Sequence, residues 1–507
     1  MVRVKLASVL DSRRLRAVWQ SNSFGLIVRF LPRWLKQYMK SVYRKLLVVP
    51  VVFSSVECDV ILWDHNKPIL SVIIPCRNYG RYLRDALQSL ESQTFKDFET
   101  ILVNDGSDDQ FTLETLDDLQ HEGVRILHQE KLNVAAALNH GIRVARGRYI
   151  CCFAADDKFE PTYFEKCLCL LESNPGVGFV YSLVRTFGDE NEIWLTEPFD
   201  LRMLLEYNHV CATAVFKKIV WEKVGGFDVE LDGYEDWDFW IKAGEAGFRG
   251  RLIPEILFNY RRHGLTLNLK ADRKSRTLIK RIRSTHAQIF AHPEEIADIQ
   301  KSYRDVKALR PFLNLKSKTQ YQSSNDRQMI VIAAGMLPHE LSSETNPQSS
   351  FRPIIVTTDY TACQQGELQR NTSMGEYALS KFLDRYCWLD FLLNLIETRS
   401  ASLVIISNSE LAYKWTPTIK TRASILLVDL IQDQASGSRK LSARYDQFID
   451  IHVVFSENTM NSLAKEIDIS TNKIQLLPKC SFLEDDFIDL LQSLSQRRPK
   501  PSDTNPS

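Results

Sequence analysis

Three short polar clusters carry the residue types that could hold a charged ligand: "PCRN" at 75–78, "NDGSDD" at 104–109 and "AADD" at 154–157. Acids gathered on one site repel one another unless a counter-charge sits among them. A divalent cation supplies it. Carboxylate oxygens suit Mg²⁺ or Mn²⁺, which keep part of their shell for phosphate oxygens, so a nucleoside diphosphate is the ligand that comes with the metal. A strand-end carboxylate such as Asp105 can also accept hydrogen bonds from a base or ribose. Each motif alone has a plainer reading. "NDGSDD" is a turn, Asp156 and Asp157 are helix caps, and "YEDWDFW" (234–240) is an amphipathic helix start. His263, between Arg262 and Gly264, is a ligand or a surface group, and Arg261 and Arg262 meet phosphate or water.

The elements that must position these clusters alternate. "LSVIIP", "FETILV", "VRILH" and "RYICCF" read as strands. Between them lie "YLRDALQSL", with Leu83, Ala86, Leu87 and Leu90 on one face, then "TLETLDDLQH" and "VAAALNHGIRVA". The alternation predicts a mostly parallel sheet covered on both faces, which binds ligands beyond the carboxyl ends of its strands. The three clusters stand at such ends. After the helix in "PTYFEKCLCLLESNP" the pattern loosens through "GFVYS" and "VCATAVF" to "VGGFDVELDGYEDWDFWIKAGEAGF" and a charged helical stretch.

A second alternating unit begins at "MIVIAAG", with strands "PIIVTTD", "SLVIISN", "SILLVDL", "HVVFS" and "KIQLLP" and a helix expected over "EYALSKFLDRYCWLDFLLNLIE". The divisions expected are a basic amino-terminal extension (1–68), a first α/β domain (69–305), a linker (306–328), a second α/β domain (329–488) and a polar, Pro-rich tail (489–507).

With 507 residues and 44% apolar content there is room for these cores, and a net charge of +1 gives no argument for nucleic acid. Ten cysteines without a CxxC pair point to buried thiols rather than a disulfide framework. No apolar run is long enough to span a bilayer, and no signal peptide is legible, so a cytoplasmic location is expected. Residues 1–50 carry eleven Lys and Arg against the single acid Asp11, interleaved with apolar residues. That segment is either a basic amphipathic helix on the anionic inner face of a membrane or an extension packed on the protein.

Taken together, "SVIIPCRNYGRYLRDALQSLESQTFKDFETILVNDGSDD", "NVAAALNHGIRVARGRYICCFAADD", the "YEDWDFW" segment and "YRRHG" closely resemble the family-2 glycosyltransferases of GT-A fold, over residues 69–267. The resemblance implies an inverting, metal-dependent (Mn²⁺ or Mg²⁺) transferase fed by a nucleotide-sugar, most often UDP-linked. It implies nucleotide contacts for Pro75, Asn78, Asp105 and Asp108. It implies metal ligation by Asp156 and His263, with Asp157 beside them as a further ligand or support. Asp236 becomes the general base, with Trp237 and Trp240 on the acceptor side. This sequence departs from the family in Ala154, where many members have the first metal Asp, in Asn133 for Gly and in Arg77 for a frequent Tyr. The second domain is similar to the acceptor-side half of a GT-B glycosyltransferase, without a Gly-rich phosphate loop or Glu-rich donor motif. It would be an acceptor-holding or partner-binding module, or a relic.

The expected function is sugar transfer to a glycan or lipid-linked acceptor in cell-surface polysaccharide biosynthesis. Two rivals remain: a nucleotidyl-sugar hydrolase or nucleotidyltransferase on a similar sheet, and a non-catalytic nucleotide- or glycan-binding protein with a degenerate site.

Overall fold

Seven residues, Leu70–Cys76, form strand β1, and all but Pro75 are buried, as a strand covered on both faces requires. The computed structural model describes residues 67–194, 196–264, 271, 273–302, 327–334, 351–358, 376–431, 436–466 and 469–477. The amino-terminal extension up to residue 66, the linker up to residue 326 and the tail lie outside these residues.

After β1 come β2 (Phe98–Asp105), β3 (Arg125–Gln129) and β4 (Tyr149–Cys152), alternating with helices α1 (Gly80–Glu91), α2 (Gln110–His121) and α3 (Val134–Val144). β1 pairs in parallel with β2 on one side and β4 on the other, and β2 pairs in parallel with β3. The order β3-β2-β1-β4 reverses its winding at β1, which opens a crevice at the strand ends. The three polar clusters follow β1, β2 and β4, so this reversal gathers them.

The rest of the first half follows β4. It comprises β5 (Lys158–Phe159), α4 (Tyr163–Ser173), β6 (Val177–Gly188), β7 (Ile193–Trp194), α5 (Leu201–Leu204), β8 (Val215–Lys217), α6 (Lys218–Val224), α7 (Glu235–Glu245) and β9 (Arg249–Arg262). Helices α8 (Ser275–Thr285), α9 (Ala287–Ala291) and α10 (Glu295–Ser302) follow. β8 is antiparallel to β4 and β6, and β9 lies parallel to β6. β9 is antiparallel to β5, with Lys158 opposite Asn259, and this pairing carries the residues after 260 back over "AADD". Of the expected strand "VCATAVF" only the end is extended, because residues 211–214 form a turn closed by Ala214 N–H on the Cys211 carbonyl (3.2 Å).

The second sheet is parallel throughout: β10 (Arg327–Ala333), β11 (Phe351–Thr357), β12 (Glu376–Ala378), β13 (Leu403–Ser407), β14 (Leu426–Ile431), β15 (Ile451–Val454) and β16 (Ile474–Leu476), in the order β12-β11-β10-β13-β14-β15-β16. The long helix expected from residue 376 is broken. Glu376–Ala378 pairs with β11, Leu383 is extended (φ −121°, ψ 143°), and the main helix, α11, is Trp388–Thr398.

A buried carboxylate joins the two sheets' layers. Glu165 of α4 accepts hydrogen bonds from the Tyr377 hydroxyl, from Arg399 Nη2 (2.7 Å) and from Thr94 Oγ1 (2.8 Å). Apolar residues of both halves merge around it, including Leu168 and Leu257 with Tyr377, Leu379 and Phe382. Among the described residues no helix is long and apolar enough to cross a membrane.

Candidate active site

The turn after β2 is acidic for several separate reasons. Asn78, in left-handed conformation (φ 60°), donates Nδ2–H to Asp108 Oδ1 (2.6 Å) and accepts from the Asp108 N–H (2.9 Å). That reciprocal pair ties the end of β1 to the end of β2. Asp109 caps α2 by accepting from Thr112 N–H (2.9 Å). Asp105, buried, uses Oδ1 to accept from Gln129 Nε2 (2.8 Å) and Leu132 N–H (2.9 Å), which fixes the loop before α3. Gly106 must be glycine here, because its φ is +65° and a Cβ would lie 2.7 Å from the Lys131 nitrogen. Asn133 caps α3 from an extended conformation (φ −166°), accepting from Ala136 N–H, so its replacement of Gly needs no left-handed backbone.

The turn after β4 meets the end of β9. His263 Nε2 lies 2.9 Å from Asp156 Oδ2, and the imidazole is packed against the rings of Tyr82 (4.6 Å between centroids) and Tyr79 (5.6 Å). Asp157 turns the other way and accepts the Arg261 N–H (2.8 Å). Arg261 also donates Nε–H to the Asp156 carbonyl (2.7 Å) and Nη2–H to Asp85 (2.9 Å), while Arg262 pairs with Glu190 (2.9 Å). Both arginines are thus engaged by protein groups. Burial raises the pKa of Asp156, and the hydrogen bond and charge of His263 work against that. Burial, then the charge of Asp156, raises Asp157 well above the usual carboxylate range.

This pair sets what a cation would find. Asp156 and His263 offer one oxygen and one nitrogen side by side, a donor set whose chemistry fits Mn²⁺. Among the described residues no three His, Cys, Asp or Glu side chains converge as a closed metal site.

Asp236 enters from α7, whose first residue follows Tyr234 in left-handed conformation (φ 59°). Asn208 donates Nδ2–H to Asp236 Oδ2 (2.9 Å). Burial raises the Asp236 pKa against the opposing pull of the Trp237 N–H and Asn208. Glu235 beside it is pushed up to about 8, by burial first and by the Asp236 charge second. Both carboxylates lie near enough to Cys152, at the end of β4, to raise that thiol further after burial, just as Asp109 and Asp156 do for Cys76 at the end of β1. Asp236 therefore approaches the same edge of the sheet.

The two tryptophans are placed differently from the expectation. Trp240 is fully buried and stacks on Phe179 (4.7 Å), because its helical position faces the sheet, so it belongs to the core and presents nothing to an acceptor. Trp237 is 7% exposed and donates its indole N–H to the Leu204 carbonyl (2.6 Å). Pro75, half-buried, is the last but one residue of β1 and lies opposite Val103. Sequence reading missed Tyr79 and Tyr82, which pack against His263, and Asn208, which holds Asp236. The tyrosines' spacing of three, at the cap and in the first turn of α1, was a usable signal, whereas Asn208 lies in an irregular stretch with none.

The model of the family "Glycosyl transferase family 2" matches residues 71–226. The amylovoran biosynthesis glycosyltransferase AmsB of Erwinia amylovora is 30% identical over 207 residues, covering 38% of this chain and 68% of that protein. This chain belongs to glycosyltransferase family 2. The chondroitin synthase of Pasteurella multocida is 27% identical over 241 residues, or 46% of this chain and 24% of its own length. The family-2 chain thus spans about a quarter of that relative. Among solved structures, the Pyrobaculum calidifontis mannosyltransferase in complex with GDP-Man and Mn²⁺ is 21% identical, covering 49% of this chain and 68% of its own, with a TM-score of 0.32. Staphylococcus aureus TarS (residues 1–349) in complex with UDP-GlcNAc is 18% identical, covering 39% of this chain and 60% of its own, with a TM-score of 0.34.

Proposed function

We propose that the chain is an inverting glycosyltransferase that moves a sugar from a nucleotide-diphospho-sugar, UDP-linked, to a hydroxyl of a glycan or lipid-linked acceptor. The observation that carries this is the meeting of Asp156 with His263 at the end of β4, on the crevice that Asp236 approaches from α7. The named roles of the relatives, in amylovoran and chondroitin synthesis, support a polysaccharide setting.

In this reading Pro75, Asn78, Asp105 and Asp108 hold the nucleotide at the ends of β1 and β2. Asp156 and His263 would hold a divalent cation, which would supply positive charge to the leaving diphosphate. Asp236 takes the proton of the acceptor hydroxyl, whose oxygen attacks the anomeric carbon from the face opposite the diphosphate. The carbon–oxygen bond to the diphosphate breaks, and its electron pair leaves with the nucleotide. Asn208 orients the base. The raised pKa of Asp236, caused first by burial, makes it a better proton acceptor than an ordinary aspartate. Residues 69–305 form the transferase domain and 329–488 a module that holds the acceptor or a partner, with the basic segment before residue 69 at the inner face of the membrane.

The test is calorimetry of UDP with and without Mn²⁺ on the wild type and on Asp156→Ala, followed by a screen of UDP-sugars for transfer. Metal-dependent binding lost in the variant, with turnover by the wild type, supports the reading. UDP binding without any turnover favours the second reading, a nucleotide-binding protein, which the single acid left by Ala154 keeps open. Silence toward UDP, with binding of dTDP or GDP, would move the donor to another base.

A further inference from the structure

Helix α7 carries three acids in its first turn, Glu235, Asp236 and Asp238, and the third is wholly enclosed. Two cationic side chains reach it. Lys242 Nζ lies 2.6 Å from Asp238 Oδ2, one turn along, and His286 Nε2 lies 3.1 Å from Oδ1. The other ring nitrogen of His286 is 2.7 Å from Glu245 Oε2, at the far end of the same helix. An ionised carboxylate only accepts, so an imidazole held between two of them donates from both nitrogens and carries a positive charge. Burial pulls the His286 pKa down, but hydrogen bonds to Asp238 and Glu245 and their charges outweigh it and bring it to about 9. Burial works against ionisation at Asp238, but the hydrogen bonds and charges of His286 and Lys242 outweigh it and hold that carboxyl below its usual range.

His286 stands where α8 gives way to α9, and α8 also grips the loop that leads into α7. Arg281 pairs with Asp228 (3.0 and 3.2 Å), and Lys274 with Asp232 (2.7 Å). Gly233, at φ +115°, leaves no room for a Cβ against Ala271 (2.6 Å). The turn of Gly233 and Tyr234, both at positive φ, is therefore braced from both sides: by Arg281 before it and by His286 after it. The charged groups facing the His286 ring are Asp238 and Glu245, with Lys242 behind Asp238. Arg281 faces Asp228, and Arg283 lies over the Phe290 ring (5.6 Å).

We propose that His286, as an imidazolium clamped between Asp238 and Glu245, is a positioning residue that holds the first turn of α7 and so the carboxylate of Asp236 toward the acceptor. This rests on the reading of Asp236 as the general base. Loss of the His286 proton removes one of its two hydrogen bonds and its positive charge between Asp238 and Glu245. The turn then loosens. Donor binding, built on the ends of β1, β2 and β4, is not touched.

The experiment measures transfer by the full chain, with the nucleotide-sugar that the wild type turns over, from pH about 6 to about 10. The wild type is expected to lose kcat on an alkaline limb centred near the His286 pKa of about 9, at constant donor KM. His286→Gln should show kcat lowered about ten-fold, no alkaline limb and an unchanged donor KM. Glu245→Gln, the milder variant should His286→Gln not fold, moves the limb toward neutral pH. In parallel, the ring proton resonance that disappears in His286→Gln is titrated in the wild type by NMR. An alkaline limb that persists in His286→Gln, a parallel change of kcat and KM, or a ring neutral at pH 7 overturns the proposal. A wild type that transfers no sugar from any donor overturns instead the reading of Asp236, and the proposal falls with it.

Discussion

Asp156 and His263, 107 positions apart, face each other at 2.9 Å because β5 and β9 pair immediately beyond them. The antiparallel register, rather than any local signal, delivers the imidazole. Replacing either residue should weaken Mn²⁺-dependent nucleotide binding by ten-fold or more, about 1.4 kcal/mol. Asp156→Asn and His263→Ala, compared by calorimetry with and without metal, provide the measurement. Equal affinity with and without Mn²⁺ in the wild type would remove the metal from the account.

Asp236→Asn keeps the shape and the Asn208 contact but cannot accept a proton, so kcat should drop by about 10²–10⁴ while donor KM holds. Asn208→Ala should do less. The Asn208 hydrogen bond favours the ionised form of Asp236, so its loss raises that pKa further. The base works ionised, and activity therefore falls as pH drops through its pKa. In Asn208→Ala this acid limb should move to higher pH, read directly from kcat against pH.

Glu235 gives a pH dependence of stability with a definite sign. Its folded-state pKa of about 8 lies above that of the unfolded chain, so its contribution is fully present below the ordinary glutamate range. It is lost as pH rises through about 8. Urea midpoints taken at steps from pH 5 to pH 9 should decline across that range, and Glu235→Gln should flatten the decline. An identical slope in the variant would mean that another group carries it.

At the contact between the two sheets' layers, Arg399→Met would leave Glu165 buried without its cation, with only hydroxyl donors remaining. Breaking a buried pair from one side costs about 3–5 kcal/mol, and chemical denaturation should register it. Replacing both, Glu165→Met with Arg399→Met, should cost less than Arg399→Met alone.

Trp240 separates core from acceptor roles. Trp240→Ala should cost about 3–5 kcal/mol of stability. Trp240→Phe, which keeps most of the ring packing against Phe179, should retain acceptor KM. A raised acceptor KM in the Phe variant with unchanged stability would return the residue to the site.

Much of the fold was legible because parallel strands buried on both faces write themselves as short apolar runs, as in "LSVIIP" and "SLVIIS". The strand ends of the site were legible for the same reason, since each run stops at a polar cluster. What was not legible depends on contacts distant in sequence. Nothing local says that Asn208 reaches Asp236 or that Tyr377 leaves a helical pattern to meet Glu165. Trp240 and Asp236 share one helix, and only the sheet packed against it decides which of the two faces the crevice.

The Glu165 contact bears on how such a chain can be re-engineered. A carboxylate that takes its arginine from the far half makes each half incomplete as a part. A transferase half grafted onto a different companion would carry a naked buried charge into the joint unless the newcomer brought a cation to the same spot. Shuffling of these halves is therefore constrained by a single acid that lies outside the candidate site.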